Sequence, residues 1–373
     1  MKVTADIAVI GGGIAGISSA AQMAGDAEVV LLEAEPAIGY HATGRSAATY
    51  IRNYGNATLR ALNAVSEPAL REPEGVAETS LLSPRGLLMI APSEQVGALD
   101  EYLQGAVGME RVDPEDAVRM VPILDRSRLA KAAYEAEASD IDVDRLLQGL
   151  ARLLHRRGSR IDTGAAVRRV TRRDGIWIVQ TARGSVEAPV IVNAAGAWAD
   201  EIARMAGVAP AGLVPRRRSA ALLPAPEGHD VSSWPLFVTA AETFYAKPEA
   251  GRLMVSPADA DPVEPHDAWA DDMVLAEGLH RFEQAVTVAV TRVEHSWAGL
   301  RTFAADASPV VGFAPGAEGF LWLAGQGGYG VQTSPALAAL AADLVAGRSP
   351  ALAPEIVAAL APGRLSACAD RAG

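Results

Sequence analysis

The chain of 373 residues is short of several things. Its one cysteine, Cys368, excludes an intrachain disulfide and a cysteine-based metal cluster. Lysine is nearly missing: apart from Lys2, Lys131 and Lys247, the 33 basic residues are all arginine. Most of that imbalance reads as base composition, leaving two or three arginines with a claim on function. Positive charge is scarce overall, since 45 acids give a formal net charge of -12, which repels nucleic-acid backbones. No run approaches the roughly 18 apolar residues that a membrane-spanning helix needs. None of the six histidines has H-E-x-x-H spacing, and the acids and prolines around His266 mark an exposed loop. Met1-Lys2-Val3-Thr4 leads at once into a strand, which leaves no room for a signal peptide. The cytoplasm is therefore the expected compartment.

What is present begins at residue 6. Asp6-Ile7-Ala8-Val9-Ile10 reads as a strand buried on both faces, and it runs into Gly11-Gly12-Gly13-Ile14-Ala15-Gly16. A small-residue helix follows over 14–24 and a second strand over 28–33. In G-x-G-x-x-G, Gly11 permits the tight turn, Gly13 lets the backbone approach a pyrophosphate, and Gly16 lets the helix sit close on the sheet. The phosphates then meet a helix N-terminus, where free N–H groups and the helix dipole favour anions. Glu33 ends the second strand, placed to accept a ribose hydroxyl; an acid there disfavours a 2'-phosphate and hence NADP.

The motif alone does not separate FAD from NAD. Gly39 to Ala48 is a polar, glycine-punctuated stretch where a nicotinamide domain would continue with helix and strand. Arg45 and Ser46 there would donate to phosphate or flavin oxygens, with Thr43 as a third donor. Far along the chain, Val190 to Gly196 and Gly319 to Ala324 read as two further strands. The second empties into Gly325-Gln326-Gly327-Gly328-Tyr329-Gly330-Val331-Gln332, followed by an apolar helix over 334–345. That loop aims backbone N–H groups and a helix start at one spot, suited to the negative charge of a reduced flavin. Arg301 lies beside small and apolar residues and supplies the planar two-donor partner an amino acid carboxylate needs, unless it pairs with Asp306 or Glu294. Tyr245, in a strand over 242–245, adds a hydroxyl. Arg216-Arg217-Arg218 is either a site component or a solvated cluster.

These pieces, spread over residues 5–345, resemble the glycine/D-amino acid oxidase-like FAD-dependent oxidoreductases, and within them the D-arginine dehydrogenases. Carrying the resemblance are Gly11 to Gly16, Gly44 to Ala48, Asn193 to Ala199, Arg217-Arg218, Phe244 to Pro248, Ser256 to Pro262, Trp297 to Arg301 and Gln326 to Ser334. It implies an α/β chain with a Rossmann-like FAD-binding domain from 1–80, 140–205 and 310–350. An inserted α+β, mixed-sheet substrate cap takes 81–139 and 206–309, and 351–373 forms a tail trailing over the surface. It implies that FAD meets Gly11, Gly13, Ile14, Ala15, Gly16, Glu33, Arg45, Ser46, Ala47, Ala48, Val167, Gly196, Gly328, Tyr329, Gly330, Val331 and Gln332. Substrate would meet Arg301, Tyr245, Arg218, Tyr54 and Gln332. Whether Tyr329 approaches the ring or only closes the loop stays open.

The implied reaction is oxidation of a small amino acid, in the D form or glycine-like, to an imino acid by hydride transfer from Cα to flavin N5. Water then releases the 2-oxo acid and ammonia. The electron acceptor (O2, a quinone or another) is not legible. The chain departs from the arginine-oxidising pattern at Thr49, in place of a histidine, and at Leu87-Leu88, in place of a glutamate. A guanidinium there would lose its ion pair, so a small or apolar side chain is expected. Alternatives are a 2-hydroxy acid dehydrogenase on the same scaffold, a non-catalytic FAD-binding subunit, and an NAD dehydrogenase.

Overall fold

The computed structural model describes residues 2–365; Cys368 and the last part of the expected tail, 366–373, lie outside them. The first strand forms at Ile7–Ile10 with every residue buried, as a strand covered on both faces requires. It is central in a six-stranded sheet that runs, in spatial order, Arg160–Asp162, Val29–Leu32, Ile7–Ile10, Val190–Asn193, Phe320–Ala324 and Val310–Phe313. The first five are parallel and the last antiparallel. Side chains alternate across it. Ile7, Val9, Val29 and Leu31 meet the helices Ile14–Met23, Val143–Arg156 and Gly330–Val345, whose Ala20, Ala21 and Ala341 let them pack closely. Ala8, Ile10, Val30 and Leu32 face a second sheet of Lys2–Thr4, Gly184–Ala188, Ile176–Thr181 and Val167–Arg173, through Trp177, Val179 and Val186.

The remaining large sheet has eight strands in the order His295–Phe303, Val214–Leu223, Arg252–Ser256, Tyr245–Glu249, Leu236–Thr239, Leu87–Ala91, Lys131–Glu135 and Met109–Val112. It is mixed, because Leu236–Thr239 and Leu87–Ala91 run parallel. The helix Asp272–Glu283 closes its outer face, with Phe282 against Phe237 and Phe244 at ring separations of 6.3 and 5.6 Å. A small ribbon of Thr49–Tyr50, Ser139–Ile141 and Leu82–Pro84 ties the two large sheets together. The whole is a mixed α/β fold. Among the described residues no helix is long and apolar enough to cross a membrane.

Three expectations about elements change. The helix expected from residue 334 starts at Gly330, so the back of the glycine loop is already its first turn. The strand expected over 242–245 begins only at Tyr245. The hydroxyl of Thr239 accepts from the Thr243 N–H at 2.8 Å, and this local bond replaces the ladder with a tight turn that puts Glu242 at φ +50. Finally, the segment expected to trail forms a helix, Pro354–Leu360, started by proline at its first position. Leu360 is fully buried, with Ile356 and Val357 against the same core.

Candidate functional site

A cavity of about 450 Å³ runs along the C-terminal ends of the parallel strands. The two glycine segments face it together: Gly11, Gly13, Ile14 and Ala15 on one side, Gln326, Gly327, Gly328, Gly330 and Val331 on the other. The helix starts also touch, since a Cβ on Gly330 would lie 3.7 Å from Ile14 Cγ2. Each glycine of the first motif has a separate reason. Gly11 has φ +108 and sits against the Ala194 carbonyl, and a Cβ on Gly16 would overlap the carbonyl oxygen of Gly11. Gly13 is open to the cavity, the nearest atom to a Cβ being Thr43 Oγ1 at 3.4 Å.

Glu33 ends its strand inside this cavity. Its Oε2 accepts from the Gly12 N–H at 2.6 Å and its Oε1 from the Glu35 N–H at 2.8 Å. Burial raises its pKa despite those two bonds. Each oxygen keeps a lone pair for a hydroxyl.

The residues present fit a flavin dinucleotide. The helix Ile14–Met23 has no carboxylate in its first turn and no side-chain bond from its N-cap residue, and it opens onto the cavity. In its first turn the Ile14 N–H donates to Thr43 Oγ1 at 3.0 Å, and the N–H groups of Ala15 and Gly16 have no partner outside the helix among the described residues. On the opposite wall, Gln326 Nε2 is buried with no hydrogen-bond partner among the described residues, an orphan donor that a ligand acceptor would satisfy. Among the residues expected to meet FAD, Ser46, Ala47, Val167 and Gly196 also line the cavity.

Four of the expected residues also have contacts or places within the protein, Arg45 while still lining the cavity. The Arg45 guanidinium donates to the carbonyls of Ala268 (2.8 Å) and Ala298 (3.1 Å) and pairs with Asp267 at 2.5 Å, so it ties its loop to the 267–268 segment and to the strand His295–Phe303. Ala48 is on the wall of a smaller neighbouring chamber and adopts φ +55. Tyr329 packs its ring 4.7 Å from that of Tyr54 and closes the loop. Gln332 is buried and spends its amide on Ile51, accepting from its N–H at 3.0 Å and donating to its carbonyl at 3.3 Å.

Where the large cavity meets the smaller chamber stand Arg301, Tyr245 and Gly328, which line both. A Cβ on Gly328 would fall 2.8 Å from Arg301 Nη1, so glycine is what leaves the guanidinium room. Arg301 has no carboxylate partner among the described residues; its one side-chain contact is the Tyr54 hydroxyl at 3.5 Å. Asp306 pairs instead with Arg364 and Glu294 with Arg252. In the arginine triplet, Arg217 takes the acids Asp259, Asp261 and Asp271 at 3.5–3.6 Å. Arg218 donates to the Asp259 carbonyl at 2.7 Å and lies over the Tyr245 ring, 5.9 Å from its centre. The two phenols diverge. Burial would raise Tyr245, but the guanidinium groups of Arg301 and Arg218 outweigh it and hold that phenol below its ordinary pKa. Burial raises Tyr54 against the opposing charge of Arg301.

The smaller chamber, about 80 Å³, is walled by Ile51, Tyr54, Leu87, Met89, Tyr102, Leu236, Val238 and Glu242. Ile51 and Tyr54 come from a stretch without regular structure, whose backbone is satisfied by buried side chains. Besides Gln332, Asn63 Nδ2 donates to the carbonyls of Ile51, Arg52 and Tyr54 at 3.0–3.3 Å. Glu135 accepts from the Arg52 N–H at 3.0 Å and from Asn53 Nδ2 at 2.8 Å. Sequence reasoning missed Asn63, Glu135, Gln326 and Glu242. Asn63, Glu135 and Glu242 stand in no functional motif, and Gln326 was passed over within the glycine loop. Lys247 was also missed as a support: buried, it donates to the Ala47 carbonyl at 2.8 Å and pairs with Asp140 at 2.9 Å.

The family described as DAO, FAD dependent oxidoreductase, matches residues 6–344. FAD-dependent oxidoreductase domain-containing protein 1 of Bos taurus is 25% identical over 91% of this chain and 81% of its own length. Mitochondrial dimethylglycine dehydrogenase of Homo sapiens is 25% identical over 88% of this chain, which spans only 41% of that longer protein. Among solved structures, glycine oxidase from Geobacillus kaustophilus superposes with a TM-score of 0.81 at 23% identity, covering 96% of this chain and 98% of that one.

Proposed function

The chain belongs to the DAO family of FAD-dependent oxidoreductases, and on that premise we propose that it oxidises the Cα–N bond of an amino acid whose carboxylate is held by Arg301. One observation carries this reading: a guanidinium without a carboxylate of its own, at the junction of the cofactor cavity and a mostly apolar chamber. A bidentate carboxylate would supply the missing counter-charge, with the Tyr245 hydroxyl as a further donor. The substrate's side chain then enters the smaller chamber between Leu87, Met89, Leu236 and Val238, which suits a small or apolar group.

When bound, FAD would supply the hydride acceptor for oxidation at Cα, and the imino acid formed would be hydrolysed by water to a 2-oxo acid and ammonia. It would be held by Gly11 to Gly16 and Glu33 at the nucleotide end, by Ser46 and Ala47, and by Gly328 to Val331 at the far end. The protein's part in the reaction is placement. Arg301 and Tyr245 fix the carboxylate, and Tyr54 and Ile51 form the wall that keeps Cα over the larger cavity. Arg301 and Tyr245, which face both chambers, are a guanidinium and a phenol rather than bases at neutral pH, and Glu242 lines only the side-chain end, so this reading requires a substrate amine that is already neutral. The positive charge of Arg301 and Arg218 favours that neutral form. Consequently kcat/KM rises with pH through an apparent pKa below the substrate's solution value; a profile with no such rise contradicts the placement.

The direct test mixes the yellow protein, without oxygen, with glycine, N-methylglycine, both enantiomers of alanine and proline, and 2-hydroxyglutarate. Bleaching of the visible flavin band by amino acids supports the reading. Bleaching by the hydroxy acid alone, or by dithionite only, overturns it.

A further inference from the structure

One carboxylate on the chamber wall has no work in the reaction described. Glu242 lies in the turn between Leu236–Thr239 and Tyr245–Glu249 at φ +50, a left-handed conformation that glycine and asparagine adopt more readily than glutamate. The turn is firmly tied. The Glu242 N–H donates to the Thr239 carbonyl at 2.8 Å, the Ala241 N–H to Gln95 Oε1 at 3.0 Å, and Arg281 Nε to the Thr243 carbonyl at 3.0 Å. Its carboxylate, on an exposed residue at the chamber's edge, makes no ion pair and no hydrogen bond among the described residues. Yet its charge reaches the chamber. Burial raises the phenols of Tyr54 and Tyr102, and Glu242 pushes both further in that direction.

We propose that Glu242 is a charge filter on the substrate's side chain, turning away amino acids that carry a second carboxylate. The proposal rests on the reading that Arg301 holds the first carboxylate and that the side chain enters the smaller chamber. Without a filter, Arg301 and Arg218 would attract either end of a dicarboxylate, and half the bound molecules would present the wrong carbon. Glu242 lines the smaller chamber and not the larger, so its negative charge acts most strongly on the side-chain end, although it also reaches Arg301. Across a partly solvated chamber, like-charge repulsion of this kind is worth about tenfold in affinity.

Glutamine and glutamate, each as both enantiomers, are the isosteric pair for the test. The wild-type protein is expected to favour glutamine by about tenfold or more in kcat/KM. In Glu242→Gln and Glu242→Gly that ratio falls to about twofold, chiefly because glutamate improves. The glycine variant guards against misfolding, since it suits the positive φ. An unchanged ratio in both variants overturns the proposal, as does a wild-type chamber that takes the two equally or binds neither. If no amino acid bleaches the flavin, the functional reading fails by itself. The filter is then read from the dissociation constants of glutarate and its monoamide, taken from shifts of the visible flavin band. Discrimination that disappears in the variants supports it, and its absence in the wild type overturns it.

Discussion

The two chambers that meet at Arg301 are built from different materials. The larger has two backbone walls, made of glycines with no side chain, small residues and the starts of two helices, and is closed by side chains such as Tyr40, His41, Trp198 and Trp297. The smaller is walled by side chains from the eight-stranded sheet and from a 51–54 stretch that buried polar groups hold in place. A backbone wall offers N–H groups and close approach to a large, invariant ligand; a side-chain wall can be varied to choose among small ones. The difference predicts that damage to the first chamber costs fold and flavin together, while damage to the second costs substrate alone.

The largest effect should come from Gly16→Ala. The new Cβ meets the carbonyl of Gly11 in the turn that opens onto the larger cavity, and neither backbone can yield, so destabilisation of about 3 kcal/mol is expected. Thermal melting and the ratio of visible to ultraviolet absorbance of the purified protein should fall together. A stable, fully yellow variant would break the distinction.

Gln332→Ala should behave oppositely. It strips Ile51 of two amide contacts at a cost of about 2 kcal/mol, and kcat/KM should drop about tenfold while flavin content stays at the wild-type level. Loss of flavin would mean that Gln332 serves the larger chamber after all.

The smallest effect concerns acidity. Burial raises the pKa of Glu135 above its ordinary 4.5 even though Asn53 and Arg52 donate to it. A carboxyl with a raised folded pKa contributes stability that is full below the unfolded value and is lost as pH rises through the folded one. Glu135→Gln escapes that loss. Its melting temperature relative to wild type should therefore improve from acid to neutral pH, with each difference under about 1 kcal/mol. A relative stability that declines over that interval would show that the carboxylate is better held ionised than its burial implies.

How much of this was legible in the sequence follows the same division. Gly11, Gly13, Gly16 and Glu33 act through local geometry within one strand-helix-strand unit, so their spacing announces them. Arg301 was legible through its setting and the family resemblance. The supports of the smaller chamber were not, because their contacts span long separations: 281 residues between Gln332 and Ile51, and 83 between Glu135 and Arg52. Arg45 shows the converse. Its place in a polar loop suggested a phosphate, whereas Asp267 and the Ala298 carbonyl, more than 200 residues away, claim the guanidinium. Residue type announced a donor; only the fold says to whom it donates.

The central claim is that Arg301 seats a carboxylate at the junction of the two chambers. It is tested most directly by titrating the oxidised, flavin-loaded protein with a simple monocarboxylate such as propionate and following the visible band, in wild type and in Arg301→Ala. Removing one partner of a desolvated charge pair costs about 2–4 kcal/mol, so affinity should weaken by roughly 30- to 1,000-fold with flavin fully retained. Equal affinity in the two proteins would contradict the account.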